Sequence, residues 1–360
     1  MDPQAGGKLL SEGGYGCIYV PNLKCKGDVQ TLPQNDQVKH DIKIDKIMSI
    51  RHANIEFAIS KRIQQVPLWK KYYIVPDVLC EPEPKDRQIN ANIDDCSIID
   101  KADWKDLRIL RMSYGGKTLR DYRIQIQNFH FMQVAVHLLE AVALLTLNGI
   151  CHMDLHDGNI LIEGSIIHLI DFNLAIHVSS ESDLVKRLYH NYQPTLVQQP
   201  PDYLLVNAQA RIAADDTKVP PLTQIIDEQV DTKAILRKER SILGLQKSDQ
   251  RRPLHDFLTK SQVLKAGDLA GWFKIYWRTI DSWAVGTLLT ELMIRLSLWP
   301  GYTLPPTFTS PTGKGRHVLR KLCEPNPLDR YDAVQALAEL DPENTIVKQY
   351  GQAWLKAIKP

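Results

Sequence analysis

Three oxygen-bearing side chains constrain this chain more than any other feature, because they fall within one short stretch of sequence. Asp154 and Asn159 lie in the run HMDLHDGN, and Asp171 begins the tripeptide DFN. The intervening residues 159–162 and 166–171 are mostly apolar and typical of two short strands. Carboxylate and amide oxygens are the ligands that hard cations such as Mg²⁺ prefer. The stretch therefore contains candidate ligands for such a cation, namely Asn159 and Asp171.

The same residues supply what phosphoryl transfer requires. That reaction needs a carboxylate that orients the acceptor hydroxyl, together with oxygen ligands for magnesium on the triphosphate. Asp154 is predicted to be the carboxylate, and Asn159 and Asp171 are predicted to be the metal ligands. A single Asp-Leu dipeptide is more often a turn or a helix cap, so the prediction depends on the combination and its spacing.

A glycine-rich segment near the N-terminus, LSEGGYGCIY, places Gly13, Gly14 and Gly16 between two strand-like runs. Backbone without Cβ atoms can approach phosphate groups closely and present its amides as donors. Taken alone, the segment is equally consistent with an ordinary glycine-rich hairpin turn.

The order and spacing of HMDLHDGN and DFN resemble the HRD-x4-N and DFG elements of the eukaryotic-type serine/threonine protein kinase superfamily. PPD ending at Asp202, DSWAVG beginning at Asp281 and PLDR ending at Arg330 extend the resemblance. The spacing of GGYG and YGGKTL is similar to predicted kinases of large DNA viruses. The resemblance implies an α+β, bilobal, protein-kinase-like fold. A mainly β small lobe would cover residues 1–112, and a mainly α large lobe would cover 113–360 with an insertion at about 207–272.

The resemblance also implies ATP and Mg²⁺ as cofactors and a protein as substrate. The implied catalytic residues are Asp154, Lys46, His156 and Thr195. The groups implied to surround the nucleotide are Ser11, Gly13, Gly14, Gly16, Ile18, Lys46, Glu56, Met112, Ser113, Tyr114, Gly115 and Leu161. Two structural contacts are implied as well: an ion pair between Asp202 and Arg330, and hydrogen bonds from Asp281 to the backbone of the HMDLHDGN loop.

Three lysines are candidates for the group that contacts the nucleotide phosphates: Lys39, Lys43 and Lys46. Side chains alternate between the two faces of a strand. Val38, Ile42 and Ile44 then share one face, which Lys46 continues, whereas Lys43 points the other way. The alternation favours Lys46. Glu56, on a helix predicted at about 55–63, is expected to form the ion pair that positions it.

Two departures from the family pattern bear on the acceptor. His156 stands where protein kinases carry lysine, and HxDLHxGN is closer to aminoglycoside and choline kinase-like enzymes, which favours a small-molecule acceptor. Thr195 matches the threonine with which serine/threonine kinases tether the catalytic aspartate. Together with the DSWAVG and PLDR elements, it favours a protein acceptor. The protein kinase is therefore the main prediction, and the small-molecule phosphotransferase is the alternative.

Two further departures bear on regulation and activity. Met153 replaces the arginine that in many kinases pairs with a phosphorylated loop, so phosphorylation at Ser179, Ser180 or Ser182 is not expected to be required. Asn173 replaces the glycine of DFG, and asparagine tolerates positive φ, so the turn is expected to persist. Because no predicted metal ligand is lost, an ATP-binding pseudokinase scaffold is the lesser alternative.

Composition limits the partners. A formal net charge of +2 gives no case for nucleic acid as an obligatory partner, and no apolar run is expected to span a membrane.

The six cysteines show no paired spacing and are expected to be free thiols in a reducing compartment. That compartment would be the cytoplasm, or the host cytoplasm or virion for a viral protein. The insertion at 207–272 either binds a partner or substrate or is a helical decoration. Residues 80–104 are predicted to be a loop without chemistry.

Overall fold

The computed structural model describes residues 8–27, 42–88, 93–180, 183–190 and 195–358. These residues form an α+β structure with a small antiparallel sheet in the N-terminal part and mostly helix in the C-terminal part. They divide into two units. Unit 1 contains the described residues up to Lys117 and also His168–Leu174, and unit 2 contains Thr118–Ile167 and the described residues from Ala175 onward. Val38, Lys39 and Ser182 lie outside the described ranges.

Unit 1 is built on a five-stranded antiparallel sheet in the order β1-β2-β3-β5-β4. Its strands are β1 (Lys8–Glu12), β2 (Gly16–Val20), β3 (Lys43–Ser49), β4 (Val78–Cys80) and β5 (Leu107–Ser113). Its helices are α1 (Ile50–Ile63), α2 (Trp69–Tyr72) and α3 (Ser97–Lys101). The helix predicted at about 55–63 is therefore present, and it begins immediately after β3.

Strand β3 separates two small cores, because its side chains alternate between the faces of the sheet. Ile44 and Met48 pack in one cluster with Met112 of β5. Ile47 points the other way and packs in a second cluster with Tyr19. The strand therefore has the period that places its lysines on opposite faces.

Two disulfides cross-link unit 1, joining Cys17 to Cys96 and Cys25 to Cys80. Their Cα atoms lie 6.1 and 5.8 Å apart. Only Cys151 and Cys323 are free among the cysteines, and both are buried. The expectation of six free thiols was therefore wrong, and the inference of a reducing compartment loses its basis. Residues 80–104, predicted to be a plain loop, carry two of the bonded cysteines and helix α3.

Unit 2 is mainly helical and also contains short strands, some of which include residues assigned to unit 1. The strands are β6 (Lys117–Thr118), β7 (Ile150–Cys151), β8 (Ile160–Glu163), β9 (Ile166–Leu169) and β10 (Ile176–His177). The helices are α4 (Phe131–Leu147), α5 (Leu184–His190), α6 (Pro201–Ala213), α7 (Leu222–Thr232), α8 (Ala234–Leu243), α9 (Lys247–Lys260), α10 (Gln262–Lys265), α11 (Leu269–Tyr276), α12 (Ile280–Ser297), α13 (Pro306–Thr309), α14 (Lys314–Leu322), α15 (Ala333–Leu340) and α16 (Gln352–Ile358). Strand β7 pairs with β10, and a second small sheet has the order β6-β8-β9.

The core of unit 2 forms around α4 and α12, whose side chains are buried on nearly all sides. Helices apolar on nearly all sides are typical of a buried core, and α4 contacts both α12 and α15. Gly149 ends α4 with φ of 69°, and a Cβ atom there would lie 2.8 Å from Val178. Glycine is therefore required at this stop. Within the described residues, no helix combines the length and the apolar character that crossing a membrane requires.

The predicted insertion folds as part of unit 2. Helix α7 packs against α9, helix α8 packs against α12, and α6 contacts α7, α9, α10 and α11. Ile226, Leu236, Phe257 and Trp272 are fully buried in these contacts. The insertion therefore shares a hydrophobic core with the rest of the unit.

Candidate functional site

Lys46 lies at the centre of a charged cluster in unit 1. Its Nζ is 2.9 Å from Glu56 Oε2 and 2.9 Å from Asp171 Oδ1. Burial alone would lower the pKa of Lys46, but the two carboxylates outweigh it and hold the pKa well above its ordinary value. Lys46 is therefore a permanent, buried positive charge, and it forms the ion pair with Glu56 that the sequence predicts.

Regular secondary structure positions Lys46 and Glu56, since one lies on β3 and the other on the buried face of α1. Lys43 lies on the opposite face of β3 and is partly exposed, with its Nζ 2.9 Å from Asp77. Of the two candidate lysines within the described residues, only Lys46 is buried against two carboxylates. Lys39 lies outside the described residues.

The segment that carries Asp171 is held by neighbours in unit 1. The Ile74 N–H donates to Leu169 O at 3.1 Å, and the rings of Phe172 and Tyr73 make a T-shaped contact with 5.9 Å between centroids. Asp171 itself has φ of 62°. Asn173, where positive φ was expected to be tolerated, is buried and does not adopt it. The strained residue of the DFN turn is therefore the proposed metal ligand.

The glycine-rich turn joins β1 and β2, and the Gly13 N–H donates to Gly16 O at 2.9 Å. A Cβ atom on Gly16 would lie 2.8 Å from Ile47 O, so the pairing of β2 with β3 already requires glycine there. Gly14 has open space around it. Ser11 lies in β1 beside an irregularity in its pairing with β2. The packing of β2 against β3 explains why position 16 is glycine. Gly14 has no such packing reason and is accessible to a ligand.

The residues predicted to surround adenine are distributed over both units. In unit 1, Ile18 packs against the cluster that contains Met112, and Ser113 Oγ accepts from Lys43 Nζ at 3.2 Å. The Tyr114 N–H donates to Ile42 O at 2.8 Å, so this amide is already used within the sheet. Gly115 follows at the end of β5, and Leu161 is buried on β8 in unit 2.

Asp281 holds the backbone of the loop that contains Asp154. The His152 N–H donates to Asp281 Oδ2 at 2.6 Å, and the Met153 N–H donates to Oδ1 at 2.9 Å. Met153 has φ of 70°, a conformation that these two bonds help to maintain. The contact predicted for Asp281 is therefore confirmed.

Asp154 is held by amides. Asn159 Nδ2 donates to Asp154 O at 2.9 Å and to its Oδ2 at 3.2 Å, and Gln198 Nε2 donates to Oδ1 at 2.8 Å. Burial would raise the pKa of Asp154, but His156 and Gln198 outweigh it and lower the pKa below its usual value. Asp154 is therefore an ionised, oriented carboxylate at neutral pH.

His156 lies beside that carboxylate. Its Nε2 is 3.7 Å from Asp154 Oδ2, and its Nδ1 is 3.8 Å from Asp157 Oδ1. The Gly158 N–H donates to Nδ1 at 3.0 Å, which favours the neutral ring. Burial also opposes protonation, but the two carboxylates outweigh it and raise the pKa of His156 to about 9. The charge on the ring therefore depends on the acids of its own loop.

Gln198, which contacts Asp154, and Arg120, which contacts Asp157 in the same loop, were not revealed by the sequence. Arg120 Nη2 lies 2.7 Å from Asp157 Oδ1. The predicted tether, Thr195, is exposed, and the hydrogen bond to Asp154 Oδ1 comes from Gln198. A pocket of about 260 Å³ adjoins them, lined by Arg120, Leu155, His156, Asp157, Thr195, Leu196, Val197, Gln198, Thr287, Leu288 and Glu291. No short motif marks Gln198, so only its nearness in sequence to Thr195 could have suggested it.

The two predicted metal ligands each retain an oxygen suited to magnesium. Both Asn159 N–H bonds point to Asp154, which leaves the Asn159 amide oxygen as its ligand atom. Asp171 Oδ1 accepts a hydrogen bond from Lys46 Nζ, which leaves Asp171 Oδ2 as the candidate ligand atom. Within the described ranges, no group of three His, Cys, Asp or Glu side chains could hold a metal ion. Each oxygen by itself suits magnesium, because magnesium commonly takes one or two protein oxygens and completes its shell with water and phosphate.

Asp202 and Arg330 form the predicted ion pair. Arg330 Nη2 lies 2.6 Å from Asp202 Oδ1, and both side chains are fully buried. Trp272 Nε1 donates to Asp202 Oδ2 at 2.9 Å, so each oxygen of the shorter acid has a partner. The prediction is confirmed, and a residue of the insertion completes the contact.

Comparison with known proteins adds no relative. The chain matches no protein-family model, and it matches no curated protein. Inference about function therefore depends on the chemistry of the chain's own side chains.

Proposed function

We propose that this protein is an ATP-dependent serine/threonine protein kinase with the protein-kinase-like fold. It transfers the γ-phosphate of ATP to a hydroxyl group of a protein. The observation that carries the proposal is Lys46, buried between Glu56 and Asp171 at 2.9 Å from each. A buried charge costs free energy unless it is paired, and such perturbed ionisable groups are concentrated at functional sites.

On the nucleotide side, Lys46 would bind the α- and β-phosphates, and the backbone amides at Gly13 and Gly14 would donate to them. Asp171 and Asn159 are the proposed ligands of Mg²⁺. Bound Mg²⁺ would neutralise the charge that accumulates on the phosphate oxygens. Glu56 keeps Lys46 extended, since their ion pair orients the ammonium group.

On the acceptor side, Asp154 orients the attacking hydroxyl. A bond forms between the acceptor oxygen and the γ-phosphorus, the bond from that phosphorus to ADP breaks, and the hydroxyl proton passes to Asp154. The lowered pKa of Asp154 makes it a weak base, which suits a loose transition state in which the proton leaves late. Gln198 and Asn159 fix the carboxylate in the required orientation.

A small-molecule phosphotransferase of the aminoglycoside or choline kinase type is the second candidate, and His156 favours it. Its ring lies 3.7 Å from Asp154, where protein kinases place lysine. An ATP-binding pseudokinase scaffold is the third. Retention of Asp154, Asn159 and Asp171 argues against that role.

The test is a phosphorylation screen with γ-labelled ATP and Mg²⁺ against mixed proteins and a panel of small alcohols. We expect label on protein, with phosphoserine or phosphothreonine and little phosphotyrosine. Transfer only to an aminosugar or choline-like alcohol would establish the second candidate. A rise in melting temperature with MgATP, without transfer to any acceptor, would establish the scaffold.

A further inference from the structure

Side chains from other parts of unit 2 donate hydrogen bonds to the segment 195–202. Trp283 Nε1 donates to Val197 O at 3.0 Å, and Lys233 Nζ donates to Gln199 O at 3.2 Å. Farther along, Trp272 Nε1 donates to Asp202 at 2.9 Å. Lys233 and Trp272 both belong to the insertion. The insertion therefore contacts the segment that carries Gln198 to Asp154.

Lys233 is an unusual residue for a helical decoration. It lies at the junction of α7 and α8 and is buried. Burial lowers its pKa to about 8, although the carboxylates of Glu239 and Asp202 counteract the shift. Desolvating an ammonium group is costly, and surface decorations place lysine in water. The amino group is instead directed at the backbone carbonyl of Gln199.

Gln198 and Gln199 connect that contact to Asp154. The two residues are adjacent and buried. The Gln199 carbonyl accepts from Lys233, whereas the Gln198 side chain donates to Asp154 Oδ1 at 2.8 Å. Because one peptide group joins them, a displacement of the Gln199 carbonyl would also move Gln198.

The preceding helix α5 is anchored in the same way. Asn207 Nδ2 of α6 donates to Leu188 O at 3.0 Å, and the Tyr203 hydroxyl donates to the same oxygen. Arg211 Nη2 donates to Tyr189 O at 3.3 Å. Neutral and cationic donors of α6 thus hold the carbonyls of Leu188 and Tyr189.

We propose that the insertion, through Lys233, fixes segment 195–202 so that Gln198 holds the Asp154 carboxylate in its working orientation. Lys233 and Gln198 are then positioning residues for the reaction, and the insertion is a built-in activating element. The inference rests on the proposed function, since it assigns a role relative to phosphoryl transfer.

The test is a double-mutant cycle with Gln198→Ala, Lys233→Met and the pair together. Lys247→Met is the matched control, because Lys247 is an exposed lysine of the same insertion that pairs with Asp231. We expect each single substitution to lower kcat about three- to tenfold, the loss expected for one hydrogen bond, with the KM for ATP unchanged. The double variant should be no slower than Gln198→Ala, because Lys233 acts through Gln198.

Hydrogen exchange supplies a readout that does not depend on activity. Amides of segment 195–202 should exchange faster in Lys233→Met than in wild type or Lys247→Met. Multiplicative losses of kcat in the double variant, or unchanged exchange, would overturn the inference. If Lys233→Met does not fold, Lys233→Arg replaces it, with a retained donor and a kcat nearer to wild type expected. A wild-type protein that transfers phosphate to nothing would instead refute the proposed function.

Discussion

The charged cluster around Lys46 in unit 1 and the one around Asp154 in unit 2 are built differently. Lys46 lies on a strand, and its partner Glu56 lies on the adjoining helix, so regular secondary structure places both. Asp154 lies in a loop and is oriented by the amides of Asn159 and Gln198, which come from separate segments. Ion pairs of the buried Lys46 with Glu56 and Asp171 hold the first cluster, and side-chain amides hold the second.

The difference predicts different consequences of mutation. Removing one member of a buried ion pair leaves the other charge unpaired, which costs about 3–5 kcal/mol. Removing a single neutral hydrogen bond costs only about 0.5–1.5 kcal/mol. Substitutions in the Lys46 cluster should therefore impair both stability and activity, whereas substitutions around Asp154 should mainly impair activity.

The largest effect is expected for Lys46→Met. It should lower kcat/KM on the order of a hundredfold or more. It should also lower the free energy of unfolding by about 3–5 kcal/mol, because buried Glu56 loses its counter-charge. The matched Lys43→Met removes a partly exposed pair with Asp77 and should cost about 0.2–1 kcal/mol. Kinetics and urea denaturation check both. An inactive Lys43→Met beside a nearly normal Lys46→Met would reverse the assignment.

Asp154→Asn should separate activity from stability. Loss of a positioned general base should lower kcat on the order of a hundredfold. Binding of MgATP, measured by thermal shift, should persist, because Asp154 is not a proposed nucleotide ligand. Asp256→Asn replaces a half-exposed acid in the same unit; it is the control and should leave kcat unchanged. A large fall in melting temperature for Asp154→Asn would erase the contrast between the two clusters.

Thr195→Ala and Gln198→Ala decide which residue tethers Asp154. The family resemblance predicts a lower kcat for Thr195→Ala, with little change in the KM for ATP. The hydrogen bond from Gln198 predicts that Gln198→Ala has the larger effect, about three- to tenfold in kcat. Steady-state kinetics of both variants make the comparison. If Thr195→Ala lowers kcat more than Gln198→Ala does, Thr195 is the residue that tethers Asp154.

A smaller effect should follow the titration of His156, whose folded-state pKa is raised to about 9. A raised pKa means that the protonated ring stabilises the fold fully below the unfolded value, and this contribution is lost as pH rises through the folded value. The stability difference between wild type and His156→Asn should therefore shrink as pH rises from about 6.5 to 9. NMR titration of the ring measures the pKa directly. A value at or below the ordinary one would show that the Gly158 hydrogen bond prevails.

The smallest effect is expected from the serines after the DFN turn. Ser179→Ala and Ser180→Ala, together with Ser182→Ala outside the described residues, should leave most of the rate intact, as should treatment with phosphatase. The reason is that side chains of α6 already hold α5 through the carbonyls of Leu188 and Tyr189. In addition, position 153 carries methionine, which has no charge to pair with a phosphate. Loss of most activity would show that another basic group serves that purpose.

The sequence by itself determined the features that follow from local geometry. A strand has a period of two, so alternation alone placed Lys46 on the apolar face and Lys43 on the other. Helices α4 and α12 have apolar residues on nearly all sides, which is typical of buried helices. The resemblance to protein kinases, which short motifs carry, implied the contacts of Asp281 and of Asp202 with Arg330. Each of these depends on a few neighbouring residues or on a motif of fixed spacing.

Only the tertiary structure decided which distant residues meet. Cys17 and Cys96 are separated by 79 positions, and no spacing rule pairs them. Gln198 rather than Thr195 reaches Asp154 because the carbonyls on either side of Gln198 are held by Trp283 and Lys233. The positive φ of Asp171 likewise depends on contacts of its segment with Lys46 and Ile74. Periodicity is a property of the backbone, whereas these pairings depend on the path of the whole chain.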